Sequence, residues 1–360
     1  MIKTSHSIRL LILSKYDSLG ASSRLRLLQF IRYLQEAGIH VDISPLFSNT
    51  MLQRRYITRN YRLQDLLASY LRRFRALLQV KNYDLVLIEK EALPWLPNWI
   101  EGFLLKKSRY LLDFDDAQFH RYDDHYSRFI RYFYSTKIDR LIAKSHLVIA
   151  GNNYISARCK SASARWIEII PTVVDLDRYV PKKIYSCKKV LRIVWIGTPE
   201  TVKFLNSLSG PLAELAKRHS FKLRVIGAGK ITIPGVPIEL LPWSADTECS
   251  MISNCDIGIM PLPDTPWERG KCAYKLIQYM ACGLPVVASP VGANCDVVIN
   301  DKTGLFATSD VEWIEKLEQL LSNPELRQRL GKSGRLRVES NYCLRETALR
   351  LMTLIRQATD

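Results

Sequence analysis

Short apolar runs alternate along this chain with stretches of helical period, and that alternation restricts the fold more than any other feature. Near-continuous apolar runs suit strands buried on both faces, and neighbouring parallel strands need a crossover between them, usually a helix. Strands are expected at 8–13, 40–44, 84–88, 110–114, 147–150 and 167–170 in the first half. A second series is expected at 191–196, 223–226, 238–241, 257–260 and 285–288. Between the first two strands, Leu27, Phe30, Ile31 and Leu34 share one helix face. Residues 180–186 are polar and aperiodic, as an interdomain linker would be, and Leu344, Ala348, Leu351 and Ile355 mark a terminal helix. At 360 residues the chain exceeds the roughly 250–300 at which a single core stops growing. The expected fold is therefore α/β, with two consecutive Rossmann-like doubly wound domains. No internal repeat or low-complexity tract competes with that reading.

Composition narrows the function. With 47% apolar and 24% charged residues the chain is neither disordered, collagenous nor a coiled coil. Its 52 Lys+Arg against 35 Asp+Glu give +17, which calls for an anionic partner: nucleic acid, an acidic membrane surface or a phosphorylated substrate. Residues 1–180 hold 28 Lys+Arg against 17 Asp+Glu, and residues 181–360 hold 24 against 18. The excess crowds into Met51 to Arg75, where Arg54, Arg55, Arg59, Arg62, Arg72, Arg73 and Arg75 face only Asp65. Leu66, Leu67, Tyr70, Leu71 and Phe74 are interspersed, the pattern of a helix lying on anionic lipid or of a solvated basic helix. The eight cysteines include no Cys-x-x-Cys pair and read as small buried hydrophobes in a reducing cytosol. The run Leu10–Leu13 is too short for a signal peptide, and 276–299 is too interrupted to span a bilayer, so a soluble or peripheral protein is expected.

Ligands of open α/β sheets bind beyond the carboxyl ends of strands, near helix N-termini. After the first strand come Gly20, Ser22, Ser23 and Arg24, a turn whose serines suit helix capping or, with Arg24 and Arg26, an anion or sugar site. The strand at 191–196 runs into Gly197, Thr198 and Pro199, where Pro suits a first helical turn and backbone N–H groups with the Thr198 hydroxyl suit a phosphate. Gly227, Gly229 and Lys230 follow the strand at 223–226 without completing a dinucleotide or Walker motif. Lys271, Lys275 and Gln278 fall at i, i+4 and i+7, which places them on one helix face. At the end of the strand at 110–114, Asp113, Asp115 and Asp116 form a carboxylate group that needs cations or hydroxyls to hold it together. Capping, sugar-hydroxyl binding and an aspartyl-phosphate phosphatase using Asp113 and Asp115 are the competing readings.

Three segments carry a resemblance: Trp195 to Thr201, Gln278 to Val287 and Asp113 to Ala117, supported by Ser23-Arg24-Leu25-Arg26, 149–152 and 170–175. The chain resembles, over nearly its whole length, the retaining nucleotide-sugar glycosyltransferases of family 4, in a subgroup of bacterial surface-polysaccharide assembly. The resemblance implies the GT-B fold: an acceptor domain at 1–180, a donor domain at 181–343 facing it across a cleft, and a helix at 344–360 returning to the first domain. It implies a nucleoside-diphosphate sugar donor, a glycan or lipid-linked acceptor, and neither metal nor other cofactor.

The family's two glutamates, with seven residues between them, correspond to Gly270 and Gln278, with Glu268 nearby as a substitute for the first. Its His-Asp corresponds to Asp115 and Asp116, which together with Lys275 form the expected catalytic group. Donor contacts are expected from Gly197, Thr198, Lys203, Gly227, Gly229, Trp243, Glu268, Gly270, Lys271, Cys272, Ala273 and Gln278, and acceptor contacts from Gly20, Ser22, Ser23 and Arg24. The implied setting is cytoplasmic and peripheral on the inner face of the plasma membrane, reached through Met51 to Arg75. A basic nucleic-acid binder is the non-enzymatic alternative, resting on charge alone.

Overall fold

The computed structural model describes residues 7–181 and 190–360. Most of the expected linker, with Cys187, lies outside the described residues. The chain divides into two compact units, one made of Met1–Thr172 with Arg345–Asp360, the other of Val173–Leu344.

The first unit is built on a six-stranded parallel sheet: β1 (Arg9–Leu13), β2 (His40–Ile43), β3 (Leu85–Glu89), β4 (Tyr110–Phe114), β5 (Leu147–Ala150) and β6 (Ile167–Ile169), in the order β2-β1-β3-β4-β5-β6. β3, β4 and β5 are buried throughout, which is why they read as unbroken apolar runs, whereas the edge strands β2 and β6 are partly exposed. The strand order reverses at β1, between β2 and β3, so the ligand crevice of such a sheet lies past the carboxyl ends of β1 and β3.

The basic segment is the crossover from β2 to β3. It forms two helices, Asn49–Thr58 and Leu63–Leu78, rather than one, because Arg59 takes the left-handed conformation (φ 61°) and ends the first. Arg73 is buried, its guanidinium donating to Ser14 O (2.5 Å) and Ser44 O (2.9 Å), and Arg54 pairs with Asp65 at 2.5 Å. The expectation of one helix presenting all these arginines outward is therefore wrong: part of the charge holds the first unit together. The terminal helix Leu344–Thr359 buries Leu344, Ala348, Leu351 and Ile355, as its spacing predicts. Arg350 donates to Ile169 O (3.0 Å) and pairs with Glu168 (2.6 Å), while Arg109 donates to Thr359 O (2.6 Å).

The second unit has its own parallel sheet: β7 (Leu191–Ile196), β8 (Phe221–Ile226), β9 (Ile238–Leu241), β10 (Ile257–Met260), β11 (Val286–Ala288) and β12 (Leu305–Phe306), ordered β12-β11-β10-β7-β8-β9. Counted within its own sheet this is the dinucleotide-binding order, with the reversal between β7 and β10. Tyr279 lies under that reversal. Its hydroxyl accepts from Ile196 N–H at 3.0 Å, and a Cβ on Gly258 would collide with its ring.

The free cysteines are not all buried. Cys159, Cys255, Cys272 and Cys282 are, but Cys249 and Cys343 are half-buried and Cys295, beside the short helix Asn294–Val297, is exposed. Among the described residues no helix is long and apolar enough to cross a membrane.

Candidate functional site

Each unit brings charged residues to the reversal point of its sheet. In the first, Glu89 and Lys90 end β3, Asp113, Asp115 and Asp116 end β4, and the turn after β1 leads into the helix Ala21–Arg26. The serines of that helix do not cap it. Ser22 Oγ lies 2.6 Å from Asp115 Oδ2 and 2.9 Å from Glu89 Oε1, and Ser23 Oγ donates to Glu89 Oε2 at 2.5 Å. The capping expectation fails because Gly20 holds the N-cap position and the serines, inside the first turn, donate their hydroxyls to carboxylates instead. Gly20 precedes the helix where a Cβ would meet the Tyr16 ring, and Arg24 turns back to Ser18 O at 3.2 Å.

Cations balance the acids. Arg26 grips Asp113 with two bonds of 2.6 and 3.0 Å and donates to Ile170 O at 2.8 Å, all buried. Lys90 reaches Asp115 at 2.8 Å and Asp116 at 3.3 Å. Burial pushes the Asp115 carboxyl up, but Lys90 and Arg26 outweigh it and leave it at about 2, fully ionised at neutral pH. Burial pulls the Lys90 ammonium down, and Asp115, Asp116 and Glu89 more than reverse that. Burial raises the Asp113 carboxyl against the pull of Arg26. Asp113, enclosed and held by two bonds, is not presented as a nucleophile, which disfavours the phosphatase reading. Among the described residues no group of His, Cys, Asp and Glu is arranged to hold a metal ion.

In the second unit the turns after β7 and β8 pack on each other. A Cβ on Gly197 would strike the Trp195 indole, and one on Gly227 (φ +81°) would sit 2.6 Å from Gly197 O and 3.1 Å from Trp243 Cβ. Gly229 also needs the left-handed conformation (φ +78°), with open space around it. Thr198 N–H donates to Thr201 Oγ1 at 3.0 Å within a closed turn, so Pro199 stands in that turn and the helix begins only at Val202. Lys203 is exposed, its Nζ over its neighbour Phe204.

The helix carrying Gln278 runs Tyr274–Ala281, so Lys271 precedes it and does not share its face. The reason is Ala273, which takes φ +53° and breaks the helical path. Cys272 and Ala273 are buried in that turn, and Gly270 closes the short helix Pro266–Arg269. Glu268 accepts from Thr265 at the start of that same short helix, which engages its carboxylate locally. Lys275 is half-buried with its Nζ 4.2 Å from the Trp195 ring centroid and, among the described residues, in no ion pair. Burial and then Lys271 bring its ammonium down to about 7. Gln278, only 2% exposed, donates to the Tyr179 hydroxyl (2.7 Å), which donates to Glu248 Oε1 (3.1 Å). Glu248 Oε2 accepts from Trp243 Nε1 at 2.7 Å, so Gln278 and Trp243 are joined through two residues that the sequence reading did not single out.

Residues 191–323 match the family described as Glycosyl transferases group 1. The match holds Gly197, Gly227, Trp243, Lys275 and Gln278. Curated relatives include D-inositol 3-phosphate glycosyltransferase of Pseudarthrobacter chlorophenolicus, 27% identical over 39% of this chain and 32% of that protein. An uncharacterized glycosyltransferase of Methanocaldococcus jannaschii is 31% identical over 34% of this chain and 37% of its own length. The chain thus spans about a third of these relatives' length. Among solved structures, sucrose-phosphate synthase from Thermosynechococcus elongatus aligns with TM-score 0.71 at 17% identity, covering 97% of this chain and 98% of that one. Anabaena HepE in complex with UDP and glucose aligns with TM-score 0.66 at 13% identity, covering 97% and 100%. The fold is the GT-B fold of glycosyltransferases.

Of the sequence-based site residues, the structure joins Ser22, Ser23, Asp115 and Asp116 in one cluster and Trp243 with Gln278 in another. Lys203 and Glu268 stand apart from both. Glu89 and Lys90 were missed, although a charged pair directly after a buried strand marks them. Tyr179 and Glu248 carry no local pattern that points to Gln278. Removing one partner of the buried pair leaves an uncompensated charge, so Arg26→Met should cost about 3–5 kcal/mol. Chemical denaturation checks this; a loss under about 1 kcal/mol would show the pair is not structural.

Proposed function

We propose that this protein is a glycosyltransferase that moves a sugar from a nucleoside diphosphate donor to a glycan or lipid-linked acceptor, with retention of configuration. The observation that carries the reading is Lys275, an ammonium without a carboxylate partner among the described residues, resting on Trp195 beside the glycine turns of β7 and β8. A diphosphate is the counter-ion such a place lacks. The base would lie by Trp243, whose indole N–H is fixed by Glu248, and the ribose by Gln278. The family match and the UDP complex of HepE support a nucleotide-sugar donor. Retention and a role in surface-polysaccharide assembly rest on the sequence resemblance.

In this mechanism the charge that develops on the departing diphosphate is met by Lys275 and the backbone of the glycine turns, which supplies most of the catalysis. The acceptor hydroxyl attacks on the leaving-group face and passes its proton to the departing phosphate, so no separate general base is required. Asp115, ionised and held by Lys90 and Ser22, accepts from hydroxyls of the transferred sugar.

The first unit also offers a membrane-facing surface. Leu63, Leu67 and Leu71 stand exposed at i, i+4 and i+8, and Ile57 is 83% exposed. The helix Arg128–Tyr134 buries nothing and exposes Phe129, Tyr132 and Phe133 next to Arg128 and Arg131. Aromatic and aliphatic side chains interleaved with arginine suit insertion among anionic headgroups.

Lys275 loses its proton near 7 in the fold but only in the ordinary lysine range when unfolded. Its burial therefore disfavours the ligand-free fold fully below about 7, and stability rises as pH climbs from there towards the unfolded value. Diphosphate binding needs the charged form, so calorimetric UDP affinity should fall about fiftyfold from about pH 7 to about pH 9 in the native protein. Lys275→Met should bind weakly at both pH values; unchanged affinity in that variant would remove Lys275 from the diphosphate site. Asp115→Asn should lower turnover at least about tenfold while leaving UDP affinity intact, and normal turnover would end its assignment to the sugar. Serine at Leu63, Leu67, Leu71, Phe129, Tyr132 and Phe133 together should abolish cosedimentation with phosphatidylglycerol vesicles. Undiminished cosedimentation would exclude this surface.

A further inference from the structure

Trp243, Glu248, Tyr179 and Gln278 form one hydrogen-bonded chain within the second unit, and their chemistry fixes the direction of every bond in it. An indole nitrogen only donates, so Trp243 gives its N–H to Glu248 Oε2 at 2.7 Å. A carboxylate only accepts, so Glu248 Oε1 takes the proton of the Tyr179 hydroxyl, 3.1 Å away. Burial first, then Tyr274, Glu248 and Cys249, hold that hydroxyl well above its ordinary range, so it keeps its proton at neutral pH. The Cys249 thiol is too weak an acceptor to draw the proton from a carboxylate.

With its single proton committed to Glu248, Tyr179 can only accept from Gln278. The 2.7 Å bond therefore comes from the amide nitrogen Nε2. An amide carries its nitrogen and its oxygen on opposite branches, so Gln278 Oε1 is turned away from Tyr179. Among the described residues the Gln278 side chain makes no hydrogen bond besides the one to Tyr179. A sheltered amide oxygen without a donor is costly, and a ligand hydroxyl meets that need.

The chain has little freedom to rearrange. Tyr179, Gln278 and Glu248 are all buried. Arg335 donates to Tyr179 O and Ala281 O, both at 2.6 Å, and so clamps the Tyr179 backbone to the end of the helix that carries Gln278.

We propose that Tyr179 and Glu248 are positioning residues that hold the Gln278 amide with its oxygen toward the donor nucleotide, so that the site selects a ribose hydroxyl able to donate a hydrogen bond. This deepens the glycosyltransferase reading and rests on it for the ligand; the orientation of the amide rests on the second unit alone. Because the same carboxylate fixes the Trp243 indole, Glu248 couples the place of the base to that of the ribose. A second carboxylate at 278 would leave two acids sharing one phenolic proton, a conflict that the amide avoids.

The test moves the charge from one end of the chain to the other. In Glu248→Gln the new amide keeps Trp243 on its oxygen and donates to Tyr179, which turns its proton onto Gln278 Oε1 and leaves Nε2 facing the ligand. In Gln278→Glu two carboxylates compete for one proton. In the double variant every donor again has an acceptor, and position 278 again offers an oxygen to the ligand. The whole chain is titrated calorimetrically with UDP and with its 2′-deoxy-2′-fluoro and 3′-deoxy-3′-fluoro analogues, whose fluorine cannot donate. The native protein should prefer UDP to at least one analogue by about tenfold or more. Glu248→Gln should cut that preference to about threefold or less, Gln278→Glu should weaken UDP by about tenfold or more, and the double variant should recover both. In a Tyr179→Phe background, Glu248→Gln should no longer change the preference. Without ligand, the urea midpoint of Gln278→Glu should fall below that of the native protein and that of the double variant should stand above it. Equal binding of UDP and both analogues by the native protein, or an unchanged preference in Glu248→Gln, would overturn the proposal. So would a double variant no better than Gln278→Glu in affinity and midpoint. No UDP binding by the native protein, with the midpoints still showing recovery, would instead sink the donor reading and leave the amide orientation standing.

Discussion

The buried pair between Arg26 and Asp113 is the contact on which the first unit's site depends. It ties the helix after β1 to the end of β4, and its third bond, to Ile170 O, reaches the segment that follows β6. With Arg26 held there, Ser22 and Ser23 on the same helix fall onto Glu89 and Asp115. The carboxylates can then crowd together because each has a donor before any ligand arrives. Buried ion pairs add little net stability against an apolar replacement, so this one is better understood as positioning than as reinforcement.

The two units treat charge differently. The first holds a dense set of acids and bases that compensate one another almost completely. The second keeps Lys275 on an indole face without an acid, between turns whose glycines admit no side chain. A compensated cluster such as Asp115 with Lys90 and Ser22 has fixed geometry and suits the recognition of neutral hydroxyls. An uncompensated ammonium suits a ligand that supplies the missing charge, and burial together with Lys271 pulls the Lys275 ammonium down from its ordinary range.

Much of the architecture was readable because strands buried on both faces must be apolar throughout. β4, β5, β7, β9 and β10 follow the apolar runs residue for residue. β12 escaped, being two residues long and therefore without any period to detect. The site was less legible for two physical reasons. Left-handed backbone at Lys90, Trp95 and Ala273 cannot be anticipated at residues that carry a Cβ, and Ala273 alone moved Lys271 off the helix face assigned to it. Partners distant in sequence, such as Tyr179 and Glu248 for Gln278, are joined by the sheet topology and by no spacing rule. The serines after β1 were identified as important for the wrong reason, since nothing in their spacing distinguishes a helix cap from a donor to carboxylates on two other strands.

The net charge of +17 is consequently a poor guide until the cations are sorted by what the fold gives them. Arg26, Arg73, Lys90 and Lys137 are consumed internally, by carboxylates or by backbone carbonyls. Lys15, Arg121 and Lys275 are not, among the described residues, and they stand at or beside the carboxyl ends of strands where α/β sheets receive ligands. Desolvating a cation without a counter-ion is tolerated only where something offsets it. The acids nearest Lys15 are already engaged, Glu89 by Ser22 and Ser23 and Glu91 by Lys137 and Tyr122, so its ammonium stays unmatched although carboxylates stand nearby.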